Sequence, residues 1–113
     1  MSDLKKKRCI PCEGGVKPLD KSAAEELLKQ LDEGWMLIDD AHLLVRQFQF
    51  PDFKTAMQFG NDIARVAEFE GHHPELTIGW GNVGVELSTH AIGGLSENDF
   101  ILAAKIDELD SRQ

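Results

Sequence analysis

The sequence predicts an α+β domain in which an antiparallel sheet, built from two hairpins, is covered on one face by three helices. Three observations carry this expectation. Apolar residues recur every three or four positions in three separate stretches. Between those stretches lie pairs of short apolar runs, rich in β-branched and aromatic residues. Each pair is joined by residues that favour tight turns, Asp39-Asp40 in the first and Gly81-Asn82 in the second. Strands this close in sequence pair with each other, so the element order is helix, hairpin, helix, hairpin, helix.

Residues 1–19 show no period and contain Pro11, Gly14, Gly15 and Pro18, so they read as an irregular lead-in to a single domain spanning 20–113. Ser22-Ala23-Ala24-Glu25 fits a capping box. Ala23, Leu27 and Leu31, with Ala24 and Leu28, then form a helical stripe that Gly34 closes. Trp35 to Ile38 and Leu43 to Phe50 make the first hairpin, whose second strand alternates Phe48 and Phe50 with Gln47 and Gln49, leaving one face wet. Pro51-Asp52 opens the second helix with Asp52 as N-cap. Phe53, Ala56, Met57, Gly60, Ile63, Ala64 and Ala67 mark its apolar side until Gly71, a length of about 27 Å. The second hairpin runs from Leu76 to Trp80 and from Val83 to Thr89. Val83, Val85 and Leu87 share one face, and Glu86, Ser88 and His90 take the other if the strand stays regular. Ser96-x-x-Asp99 resembles a second capping box, for a helix with Leu102, Ala103, Ile106 and Leu109 on its apolar side.

Length and charge narrow the function. A chain of 113 residues makes one domain, able to remove roughly 60–70% of its unfolded surface from water without disulfides or metal. No run of eighteen apolar residues and no signal-peptide pattern is present, so the expectation is a soluble cytoplasmic protein with no membrane partner. Twelve basic against twenty acidic residues give a net charge of −8, which opposes direct nucleic-acid binding. The one basic run, Lys5-Lys6-Lys7-Arg8, reads as a solvated tail. Cys9-x-x-Cys12 could supply half of a zinc site or a redox couple. A structural zinc needs four ligands, the chain holds no second pair, and the surrounding Pro and Gly point to a loop. Reduced thiols in a mobile segment are the plainer expectation. No phosphate-binding loop or Gly-x-Ser-x-Gly motif is present, so phosphoryl transfer, hydride transfer and serine hydrolysis find no support.

The chemistry concentrates in Glu68-Phe69-Glu70-Gly71-His72-His73-Pro74 and Ser88-Thr89-His90, which hold three of the four histidines. Imidazole both gives and takes protons near neutral pH. Gly71 ends the long helix and Pro74 keeps His73 extended, so both histidines follow a helix C-terminus, whose negative end favours an imidazolium. Glu68, one turn upstream of His72, can strengthen that effect or orient the ring. Consecutive side chains of an extended segment point opposite ways, which makes His72 and His73 awkward joint ligands for one metal. Zinc held by one of them with His90 remains a possible arrangement, although His-x-x-x-His spacing and cysteine support are missing. Asp99 reads first as a cap and second as a site carboxylate. Trp35 and Trp80 read as packing, though a flat aromatic substrate would want one such wall.

Glu68-x-x-x-His72-His73-Pro74, followed by Val85-Glu86-Leu87-Ser88-Thr89-His90 and Gly94-Leu95-Ser96-x-x-Asp99, closely resembles the pterin-4a-carbinolamine dehydratases. The match runs in register from about Trp35 to Ile106, and Cys9-x-x-Cys12-x-Gly14-Gly15 looks like the lead-in of bacterial members. The resemblance implies a four-stranded antiparallel sheet with helices on one side, assembled as homodimers or homotetramers, and an active site that needs neither metal nor cofactor. It implies a substrate, 4a-hydroxytetrahydrobiopterin or a related tetrahydropterin left by aromatic amino acid hydroxylases, dehydrated to the quinonoid dihydropterin. Carried over by position, the site would be Glu68, His72, His73, His90 and Asp99, with Trp35 nearby; the chemistry of water loss then assigns His72 and His90 as acid and base, with Glu68 and Asp99 orienting or charge-tuning imidazoles. His73, Pro74, Trp35, Ser88 and Thr89 would contact substrate. An animal relative that doubles as a dimerisation cofactor of a homeodomain transcription factor sets the alternative expectation, a protein-binding regulatory module.

Overall fold

The computed structural model describes residues 4–10 and 17–110. Within them the chain forms α1 (Lys21–Leu28), β1 (Met36–Ile38), β2 (Leu43–Gln49), α2 (Phe53–Glu70), β3 (Glu75–Gly79), β4 (Asn82–Leu87) and α3 (Glu97–Leu109), with short 3₁₀ turns at Leu4–Lys6 and His90–Ile92. The predicted helix–hairpin–helix–hairpin–helix order and α+β class are those observed. The four strands make one antiparallel sheet in the order β1-β2-β4-β3, so the hairpins join through their inner strands and leave β1 and β3 at the edges.

The register explains which face is buried. Leu44 lies opposite Leu87, Arg46 opposite Val85 and Phe48 opposite Val83; all but Arg46 are apolar and buried, and they carry the helices. The alternate positions Gln47 and Gln49 are exposed, as a period of two requires for a sheet with one solvated face. Phe48 anchors the core, edge-on to Trp35 at 6.2 Å and tilted against Phe59 at 4.8 Å.

α2 behaves as its sequence predicts at both ends. Asp52 accepts the Thr55 N–H at 2.8 Å, and Gly71 closes the helix in the left-handed region at φ 69°. Its buried side is Ala56, Phe59, Gly60, Ile63 and Ala67, so Phe59 joins the apolar stripe while Ala64 turns outward.

Several local expectations need correction. The N-cap of α1 is Asp20, whose carboxylate accepts the Ala23 N–H at 2.8 Å, and Ser22 falls inside the first turn. The helix ends at Leu28 rather than near Gly34; Gly34 instead donates its N–H to Asp32 at 2.9 Å in the following turn. The second hairpin turns at Trp80-Gly81, because Gly79 pairs with Asn82 and Gly81 supplies the positive φ of 78°. Strand β4 stops at Leu87, and His90 opens a 3₁₀ turn instead of ending a regular strand.

The lead-in departs furthest from expectation. Leu4 is 2% exposed and belongs to the core, packed with α3. The basic run keeps its side chains in solvent, as expected, but is docked rather than a free tail: Lys5 pairs with Glu108, Lys7 with Glu97 and Arg8 with Glu70. Glu70 at the end of α2 and Glu97 and Glu108 on α3 give Arg8, Lys7 and Lys5 a partner within reach. This covering strap is why α3 is buried from Asn98 through Ala104 rather than along one stripe.

Candidate functional site

Two helix ends and the end of a strand converge where the sheet gives way to loops. Gly71 stops α2, and its N–H and that of His72 both return to the Ala67 carbonyl, at 2.8 and 3.3 Å. His72 and His73 therefore sit in the short segment between α2 and β3. From the far side, β4 ends and Thr89 bridges to Gly94, closing a loop that presents His90. Ser96 caps α3 and brings Asp99 beneath His72.

An open groove of about 240 Å³ results, lined by Gly71, His72, His73, Ser88, Thr89, His90 and Ala91. The structure thus brings together the three histidines named from sequence, along with Ser88 and Thr89. Gly71 and Ala91 complete the lining, and only their neighbourhood to histidine signalled them.

The two adjacent histidines point apart, as an extended pair must. The His72 side chain is 13% exposed and its Nε2 lies 2.6 Å from Asp99 Oδ1, while Asp99 itself is 0% exposed. The His73 side chain is 59% exposed and its Nε2 lies 2.5 Å from Glu68 Oε2. Glu68 therefore orients His73 and not His72, contrary to expectation. Residue 72 turns inward toward α3 beyond the Gly71 cap, out of reach of the solvent-facing Glu68. A carboxylate only accepts, so in each pair the imidazole donates from Nε2. Nδ1 is then the His72 nitrogen left for proton exchange.

Asp99 caps and serves the site at once. Its Oδ2 accepts the Ser96 N–H at 2.9 Å and the Thr89 hydroxyl at 2.8 Å, while Oδ1 meets His72. Cap and site carboxylate are not alternatives here, because one carboxylate has lone pairs for both.

Two named residues lie elsewhere. Trp35 is 3% exposed and its indole N–H donates to both oxygens of Asp107, at 2.8 and 3.0 Å, near the C-terminal end of α3. It does not line the histidine groove. Pro74 is half-buried ahead of β3 and sets the chain direction without lining the groove. The fourth histidine, His42, is exposed on the β1–β2 turn and donates Nδ1–H to the Asp39 carbonyl at 2.8 Å.

Beneath the site, Glu70 receives the Cys9 N–H at 2.8 Å, with Arg8 at 3.3 Å and Lys105 at 3.6 Å. Burial pushes its carboxyl upward, but Cys9 N–H, Lys105 and Arg8 outweigh that and hold it below the usual range. Cys9 is half-buried, and burial together with the Glu70 charge pushes its thiol up to about 12. That environment disfavours the thiolate needed for redox or metal chemistry; Cys12 lies outside the described residues. Among the described residues, no three His, Cys, Asp or Glu side chains group closely enough to hold a metal ion, and no helix is long and apolar enough to cross a membrane.

A family model described as pterin 4 alpha carbinolamine dehydratase matches residues 17–109. Two relatives named "Putative pterin-4-alpha-carbinolamine dehydratase" are each 52% identical. The one from Rickettsia bellii aligns over 108 residues, 96% of this chain and 95% of its own. The one from Nitrosomonas eutropha aligns over 107 residues, 95% of this chain and 93% of its own. Among solved structures, a protein from Brucella melitensis described as a transcriptional coactivator/pterin dehydratase superposes with a TM-score of 0.76. It is 35% identical, and the superposition covers 82% of this chain and 98% of that one.

Proposed function

The chain belongs to the pterin-4-alpha-carbinolamine dehydratase family, and from that premise we propose that it dehydrates 4a-hydroxytetrahydropterins by histidine acid–base catalysis. The observation that carries this reading is the groove itself, where His72, His73 and His90 meet with a buried carboxylate locked behind the first. The reaction breaks the C4a–O bond as the leaving hydroxyl takes a proton, removes the N5 proton and forms the N5=C4a double bond, releasing water. Two proton transfers at neighbouring atoms call for two positioned groups that titrate near neutrality, and no electrophile or electron carrier is required.

In this reading His72 and His90 exchange the two protons, Asp99 holds the His72 ring, and Glu68 holds His73 as it grips the pterin with Ser88. The open groove suits a flat bicyclic substrate whose reacting edge must reach two imidazoles. No cofactor is needed, and the physiological setting is cytoplasmic recycling of the pterin used by an aromatic amino acid hydroxylase.

The test is stopped-flow dehydration of a 4a-hydroxytetrahydropterin. His72→Ala and His90→Ala should each lower the rate on the order of 10²- to 10⁴-fold, the contribution of a positioned acid or base. Wild-type rates in both variants would refute the assignment. The wild-type rate should also survive chelator; its loss would require a metal at the groove.

A second reading, a protein-binding role through a homo-oligomer, has one structural support: edge strand β1 exposes Met36 (58%) and Ile38 (37%). Sedimentation of the wild type and Met36→Lys decides whether that edge joins copies.

A further inference from the structure

Thr89 was expected among the substrate contacts, yet its side chain is turned the other way. The residue is 4% exposed, and its backbone N–H is fixed on the Gly94 carbonyl at 2.7 Å. Its hydroxyl lies 2.8 Å from Asp99 Oδ2 and 2.8 Å from Ser96 Oγ. A hydroxyl has one proton to give and a carboxylate can only accept, so Thr89 donates to Asp99. The contact with Ser96 then has a single direction, with Ser96 donating to Thr89. The proton order runs Ser96 to Thr89 to Asp99, and the remaining oxygen of Asp99 takes Nε2–H of His72.

We propose that Thr89 is a positioning residue for the histidine site, its hydroxyl fixing the Asp99 carboxylate so that His72 is held with Nε2–H inward and Nδ1 available to the groove. The Ser96 N–H on the same oxygen sets one direction of the carboxylate plane, and the Thr89 hydroxyl sets a second. Two donors at fixed angles hold Oδ2 in place, so that Oδ1 meets His72 in one direction; without the hydroxyl only the Ser96 N–H remains on that oxygen. Because His90 follows Thr89 directly, both imidazoles assigned to proton transfer are referenced to one residue. The proposal rests on the acid–base reading above for its kinetic consequence, though not for the ring geometry.

Two measurements on the full chain test it. Thr89→Val keeps the shape and removes the hydroxyl. It should lower kcat roughly ten- to a hundredfold, the range for losing one hydrogen bond to a charged group, with KM changed by less than about threefold. Thr89→Ser should restore kcat to within about threefold of wild type. Imidazole ¹⁵N spectra, assigned with His72→Gln, should show His72 as the Nε2–H tautomer in wild type and Thr89→Ser, and mixed tautomers in Thr89→Val. Wild-type kcat in Thr89→Val, an equal loss in Thr89→Ser, or an Nδ1–H tautomer in wild type would each overturn the proposal. If Thr89→Val does not fold, Thr89→Ala, which also lacks the donor, takes its place under the same expectations. If the wild type dehydrates no pterin, the functional reading fails, while the spectra still decide the ring geometry.

Discussion

Asp99 carries the sharpest consequences of any single side chain. With 0% exposure and bonds to His72, Thr89 and Ser96, it can lose neither its charge nor its shape without stranding buried donors. Asp99→Ala should cost about 2–4 kcal/mol in urea unfolding, from the lost cap and the stranded hydroxyl. Asp99→Asn keeps the size but places an amide against donors that need an acceptor, so dehydration should fall at least as far as in His72→Ala. Glu68→Gln, by contrast, changes an exposed pair and should leave stability within about 0.5 kcal/mol. Its effect belongs in KM, through the orientation of His73. The residues of this site were legible from sequence, but their pairing was not. Glu68 stands nearer His72 in the chain than Asp99 does, yet the turn at Gly71 sends the two imidazoles to opposite sides.

The ends of α2 and α3 do the positioning. Gly71 adopts φ 69° with nothing within 4 Å of an added Cβ, so Gly71→Ala should cost about 1–2 kcal/mol from backbone strain alone. Because His72 follows immediately, the same substitution should lower activity below the melting transition, which a calorimetric scan beside the kinetic assay separates. Glu70, the last residue of α2, ties that end to the strap through Cys9 N–H, Arg8 and Lys105. Its side chain is 2% exposed, and its folded carboxyl titrates below the ordinary 4.5. The folded state thus binds fewer protons than the unfolded one, so the stability Glu70 contributes is complete above pH 4.5 and lost as pH falls through the folded value. Glu70→Gln should destabilise the protein by about 1–3 kcal/mol at pH 7 and flatten its loss of stability below pH 4.5, read from urea midpoints across that range. Asn98, next to Asp99, clamps the same strap by accepting the Ile10 N–H at 3.0 Å and donating to its carbonyl at 2.5 Å. The elements that carry His72 and Asp99 are those that residues 4–10 hold. Residues 4–10 carry no period in the sequence, because such a strap is specified by partners distant in the chain and not by its own repeat.

The molecule separates its core from its chemistry. Phe48, Trp35 and Phe59 pack together, and Trp35 is tied to Asp107, eight positions along α3 from Asp99 and about 12 Å at helical rise. Phe48→Ala should therefore cost about 3–5 kcal/mol in unfolding while leaving KM for the pterin near wild type at temperatures below the melt. Arg46 shows how an apolar layer tolerates a charge. It lies on the helix-facing side of β2, its guanidinium 4.3 Å over the Phe48 ring and its charge matched by Asp107 at 2.6 Å and Asp32 at 3.2 Å. The surplus of acidic residues is likewise used, in part, to hold the basic lead-in through Glu97, Glu108 and Glu70.

The amino-acid sequence by itself determined the α+β class, the element order, both ends of α2 and the identity of the histidine cluster, since each follows from spacing or from one residue's backbone preference. Only the tertiary structure decided the joining of the hairpins through β2 and β4, the docking of residues 4–10 and the inward turn of Thr89. It also decided which carboxylate serves which imidazole. The physical reason is the same throughout. Periodicity and caps are local and can be read along the chain, whereas a hydrogen bond between Asp99 and His72 spans 27 positions and exists only once the core has brought α3 beneath the end of α2.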